Sequence, residues 1–127
     1  MALHPDTLTF DCAEPIRVAT FWAAALGFEL EDDPAPDAAF IADPSDRTRG
    51  MYFQTVPEAK VAKNRVHLDV RPDTSMAVEV ERLTELGATV RGFIEVEGSF
   101  WTQMRDVEGN EFCVLRGPDD GWTPETL

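Results

Sequence analysis

An internal repeat constrains this chain more than any other feature. Phe10-Asp11 to Leu26-Gly27 has a counterpart in Leu68-Asp69 to Leu86-Gly87. In each copy a short strand-like stretch carries an Asp, a helical stretch follows, Leu-Gly closes it, and strand-like segments run to a second closing strand. The repeat predicts an α+β fold of two pseudo-symmetric βαβββ modules. Module one is expected over about residues 7–58, module two over about 64–116, and residues 117–127 form a C-terminal tail on what reads as one domain.

The local signals agree with that division. From Thr7 to Cys12 apolar and polar residues alternate, which places Leu8, Phe10 and Cys12 on one face of a strand and Thr7, Thr9 and Asp11 on the other. Pro15 suits the first position of a helix, Gly27 suits its end, and Ile16, Ala19, Ala23 and Leu26 make an apolar stripe with Phe21 and Trp22 adding bulk. Phe28–Glu31 reads as a strand, 32–37 as a proline-rich acidic loop, Ala38–Ala42 as a strand, Asp43–Gly50 as a polar turn and Met51–Val56 as the closing strand. Residues 58–64 form the linker. In the second copy Arg65–Val70 alternates cleanly, with Arg65, His67 and Asp69 on one face. Asp73, Thr74 and Ser75 offer N-cap oxygens for a helix whose stripe is Met76, Val80, Leu83 and Leu86, closed at Gly87. Strands over Thr89–Glu95, Phe100–Arg105 and Asn110–Leu115 complete it, and the tail reads as mobile unless Trp122 docks it.

Composition excludes several classes of function. A chain of 127 residues that is 43% hydrophobic is long enough to bury a core without staples. Cys12 and Cys113 show neither a disulfide framework nor zinc-finger spacing, so reduced thiols are expected. A formal charge of -13 opposes binding to nucleic acid and to anionic membranes. No apolar run reaches the roughly 20 residues of a membrane span, and the N-terminus lacks the pattern of a secretory signal. A cytoplasmic protein is the expectation.

The chain contains no GxGxxG, GxxxxGK[ST], HExxH or GxSxG motif, which removes the main support for dinucleotide, P-loop, zincin and hydrolase chemistry. What remains is the polar strand face carrying His67 and whatever the repeat sets beside it. An imidazole with an ordinary pKa near 6.5 can accept a proton, donate one or bind a metal, and the plain alternative for His67 is a structural imidazole bonded to Asp69, Arg65 or another strand. Glu111 is the candidate partner base, with a solvated strand end as its plain alternative. Trp22, Tyr52, Phe100 and Trp101 are candidates for stacking on a flat ligand, Trp101 foremost, although most such surface goes into core. Asp69 and Arg65 are a candidate surface pair, and Cys113 reads as a packed thiol.

The pattern Asp11, Phe21-Trp22, Leu26-Gly27, then Val56-Pro57-Glu58 and Lys63-Asn64-Arg65-Val66-His67-Leu68-Asp69, resembles the glyoxalase-like group of the vicinal oxygen chelate (glyoxalase/bleomycin resistance/dioxygenase) superfamily. Trp101 and Asp106-Val107-Glu108-Gly109-Asn110-Glu111-Phe112-Cys113-Val114-Leu115 extend the resemblance, which runs from Thr7 to Leu115. It implies paired modules curving round a cup-shaped cavity with helices outside, commonly in a homodimer. Relatives include metal-dependent lyases, isomerases and dioxygenases and metal-free proteins that sequester antibiotics.

Carried over by the repeat, the superfamily's metal positions fall on Thr9, Gln54, His67 and Cys113. Relatives use His, Gln or Glu there, so this set departs from the usual one; His67, Gln54 and Cys113 are the candidates to hold a divalent metal, and otherwise no cofactor is expected. The expected function is therefore binding of a small molecule by Thr9, Tyr52, Gln54, His67, Trp101, Glu111 and Cys113. The alternative is a lyase or isomerase using a divalent metal or His67 and Glu111 as acid and base. Glyoxalase I chemistry itself is not expected, because the acidic ligands that would support a metal-bound enediolate are missing.

Overall fold

The computed structural model describes residues 1–126, in two compact units that divide between Val61 and Ala62. The first contains β1 (Leu8–Cys12), α1 (Pro15–Leu26), β2 (Glu29–Leu30), β3 (Ala38–Asp43) and β4 (Asp46–Thr55). The second contains β5 (Asp69–Val70), α2 (Met76–Glu85), β6 (Thr89–Val96), β7 (Ser99–Arg105) and β8 (Glu111–Leu115), followed by two short 3-10 turns. Each has a four-stranded mixed sheet, ordered β1-β4-β3-β2 and β5-β8-β7-β6. In both, the first strand lies parallel to the last and the remaining pairs are antiparallel. Two βαβββ modules of one topology make the fold α+β, as the repeat requires. No described helix is long and apolar enough to cross a membrane.

In the first unit Pro15 opens α1, and Gly27, at φ 69°, ends it by donating its N–H to the Ala23 carbonyl. The helix buries Val18, Ala19, Phe21, Trp22 and Ala23, whereas Ile16, expected on the buried stripe, is 38% exposed. The aromatic pair decides the rotation, since two large rings bury more apolar area than Ile16 and Leu26 offer. Trp22 packs 5.8 Å from Phe10, centroid to centroid, and Phe10 lies 5.2 Å from Phe53 of β4.

The expected polar turn at 43–50 is mostly strand. Asp43 already pairs with Asp46, and each carboxylate turns the chain locally: Asp43 accepts from the backbone and hydroxyl of Ser45, Asp46 from those of Thr48. These bonds, with Arg49 near Asp43, hold both carboxyls below the ordinary value. Gly50 reads as a turn residue but stands within β4 for a different reason. A Cβ there would meet the Phe40 ring at 2.5 Å and the Ile41 carbonyl oxygen at 2.6 Å.

In the second unit Ser75 caps α2 by accepting the Val78 N–H, and the helix buries Met76 and Leu83. The strand expected over Arg65–Val70 is shortened to Asp69–Val70. Its single neighbour, β8, pairs through Cys113 and Val114 and reaches back only to the Leu68 carbonyl. Val66 is left 79% exposed. The tail is tied down: the Asp120 carboxylate accepts the N–H groups of Gly117 and Met76 at 2.9 and 2.7 Å, placing a negative charge where the N-terminus of α2 favours one. Trp122 docks beneath Arg71, whose guanidinium carbon lies 3.9 Å from the ring centroid.

Candidate ligand-binding site

The second sheet has two unlike faces. Phe112 and Val114 of β8 are fully buried, Thr102 of β7 donates its hydroxyl to the sulfur of Met76 on α2, and this side is core. Register places the opposite residues together: Asp69 beside Cys113 beside Gln103, Glu111 beside Arg105, and Leu115 beside Trp101. His67 joins them from the segment leading into β5.

Asp69 organises this face. Its carboxylate lies 3.2 Å from Nδ1 of His67 and also accepts from the Cys113 thiol. The donor atoms of His67, Asp69 and Cys113 all lie within 4.8 Å of one another. Burial, and then the charge and hydrogen bond of Asp69, push the Cys113 thiol up, with Lys63 opposing weakly. The thiol is therefore held neutral, as a donor.

A raised acid pKa favours the folded state while the thiol is protonated, so this contribution is complete below the unfolded thiol value and is lost as pH rises through the folded one. The window therefore opens above 9.0, the ordinary value. Native Cys113 should react with iodoacetamide more slowly than the unfolded chain and gain speed only at more alkaline pH, while Asp69→Asn should accelerate it. Peptide mapping of labelled Cys113 measures this, and equal rates for native and unfolded protein would refute the protected thiol.

Glu111 is buried, not solvated, and its carboxylate accepts the Asn64 N–H at 3.1 Å. It pins the linker to β8. Arg65 does not take Asp69 as partner; His67 and Cys113 do. Trp101 is half-buried on the same face as Leu115, whereas Trp22 is core in the first unit.

In the first unit Thr9 is in register with Tyr52, and Gln54 with Asp11, on the face away from α1. The Gln54 amide donates to Asp11 at 2.8 Å. Asp11–Gln54 is the repeat's counterpart of Asp69–Cys113, so each unit sets its conserved-in-repeat Asp against the candidate ligand on its last strand. Sequence reasoning chose Gln54 and Cys113, weighed Asp69 only as a structural partner of His67 or Arg65, and passed over Asp11 as a site residue; the place of both aspartates in the repeat was the signal for them.

The donor chemistry tests the divalent metal that the resemblance implies. Imidazole, thiolate and carboxylate in one cluster suit a thiophilic ion such as zinc and not an ion that demands an oxygen-rich octahedral shell. His67, Asp69 and Cys113 would hold it, at the cost of deprotonating a thiol that burial and Asp69 keep neutral.

A profile of the glyoxalase-like domain matches residues 7–115. Similar solved structures include a hypothetical protein from S. aureus, at 17% identity and a TM-score of 0.68 over 91% of this chain and 95% of that one. Another is a glyoxalase/bleomycin resistance protein/dioxygenase family enzyme from Burkholderia phytofirmans, at 15% identity and 0.68, covering 86% and 94%. A third is a variant of the fosfomycin resistance protein FosX from Listeria monocytogenes, complexed with manganese(II) and 1S,2S-dihydroxypropylphosphonic acid, at 13% identity and 0.68, covering 92% of each chain. No curated protein sequence matches the chain.

Proposed function

Because the chain belongs to the glyoxalase-like domain family, we propose that it binds a small organic molecule on the second unit's polar sheet face, with His67 as the principal contact. One observation carries this reading: Asp69 takes the Nδ1 side of His67 at 3.2 Å. With Nδ1 facing Asp69, the other ring nitrogen, Nε2, is the one left for a ligand. The His67 side chain is 37% exposed, so a ligand can reach the ring. Trp101 supplies an aromatic wall on the same sheet face, and Cys113, whose S–H is given to Asp69, steadies that carboxylate. Glu111, committed to Asn64, acts in positioning the segment that carries His67.

The same arrangement supports a second reading as a metal-free lyase or isomerase in which Nε2 of His67 accepts a substrate proton and Asp69 orients the ring. Zinc at His67, Asp69 and Cys113 is the competing basis for activity. The reading includes a cytoplasmic homodimer that binds neither nucleic acid nor membrane; the charge of -13 supports the last two points, and light scattering after gel filtration tests the dimer.

The direct test is a thermal-shift screen of a small-molecule library that includes bleomycin and fosfomycin, followed by titration of each hit. His67→Ala should weaken binding about tenfold or more, the value of a lost hydrogen bond at a partly desolvated site. Dialysis against a chelator should leave wild-type affinity intact. Hits bound equally by His67→Ala would sink the reading, and loss of binding on chelation would replace it with the zinc site. Turnover of a hit that vanishes in His67→Ala establishes the enzyme.

A further inference from the structure

Beside the β6–β7 turn the second unit holds a cavity of about 520 Å³, bordered by Arg71, Arg116, Trp122, Phe100, the turn residue Glu97 and Ser99 at the start of β7. Its size lies within the range of about 300–1,000 Å³ typical of small-molecule sites. None of its residues belongs to the His67, Asp69 and Cys113 cluster.

Two features of this cavity call for an anion. First, two guanidinium groups are gathered in one place. Arg71 donates from Nη1 to the Arg116 carbonyl at 2.7 Å and holds its guanidinium carbon over the Trp122 ring, while the Arg116 guanidinium carbon stands 6.0 Å from the Phe100 centroid. Second, neither arginine forms a salt bridge among the described residues, although like charges held together are unfavourable without a counter-charge.

We infer that this cavity is a binding site for the carboxylate of a small organic ligand, clasped by Arg71 and Arg116 beside the Trp122 ring. A planar guanidinium fork matches a carboxylate in geometry. A singly charged group is also favoured over a phosphate dianion, because Glu97 borders the same cavity and the whole chain carries -13. The rings of Phe100 and Trp122 offer the ligand's apolar body a surface to lie against.

The experiment follows tryptophan indole N–H signals of the isotope-labelled full chain by NMR while benzoate or inorganic phosphate is added at constant ionic strength. Trp122→Phe identifies the Trp122 signal. Benzoate should move that signal saturably, Arg116→Gln should weaken the response about tenfold or more, and Arg116→Lys should recover part of it. Arg91→Gln, an exposed arginine on β6, should change nothing, as should His67→Ala, so failure here is separable from failure of the His67 site. An unmoved Trp122 signal in the folded wild type, or an equal response in a folded Arg116→Gln and Arg116→Lys, overturns the site. A response to phosphate without one to benzoate overturns the carboxylate assignment.

Discussion

Trp22→Ala should destabilise the first unit by about 3–5 kcal/mol, the cost of removing a large aromatic side chain from a packed interior. Trp22 is 1% exposed, meets Phe10 at 5.8 Å and packs edge-on against Phe21 at 5.2 Å between ring centroids. The hole left by its removal lies between α1 and a sheet face that already contains fully buried Phe53 and Ile41, so little can collapse into it. Ile16→Ala on the same helix should cost less than about 1 kcal/mol, since Ile16 is 38% exposed. Urea denaturation followed by far-UV circular dichroism compares the two. Equal losses would mean that α1 is rotated to bury the Ile16 stripe instead.

Asp106→Ala should remove about 3 kcal/mol and loosen the candidate site at a distance. The Asp106 carboxylate is 3% exposed and accepts the backbone N–H groups of Glu108 and Asn110 at 2.9 and 3.0 Å, together with the Asn110 side-chain amide. Alanine would strand these donors, at about 1–3 kcal/mol for each that stays buried. Gly109, at φ 86°, closes the same turn. The turn delivers the chain into β8, and therefore sets the register that carries Glu111 and Cys113. Amide hydrogen exchange should accelerate through residues 108–113, and iodoacetamide should label Cys113 faster than in the wild type. Asp106→Asn, which keeps an acceptor, should retain much of both. Lost stability with unchanged exchange and labelling would show that the turn does not govern the strand.

The topology was legible because its signals are local. Pro15 and Gly27, Ser75 as a cap, and the alternation of Leu8, Phe10 and Cys12 each depend on residues a few positions away. Strand ends were less legible. Whether Arg65–Leu68 pairs depends on the reach of β8, and whether the polar stretch from Asp46 extends depends on β3, its partner. Alternation reports which face a residue takes and is silent on whether a neighbouring strand is present.

The candidate site divides in the same way. The sequence by itself determined two βαβββ modules, the family, and the assignment of His67 and Cys113 to the opening and closing segments of the second module, because period and spacing are properties of the chain alone. Only the tertiary structure decided that Asp69 holds both His67 and Cys113, that Glu111 is spent on Asn64, and that Arg71, Arg116 and Trp122 meet at one cavity. Those contacts join residues more than forty positions apart in several cases, and a hydrogen bond that acts over about 3 Å can be read only once the backbone has brought its donor and acceptor together.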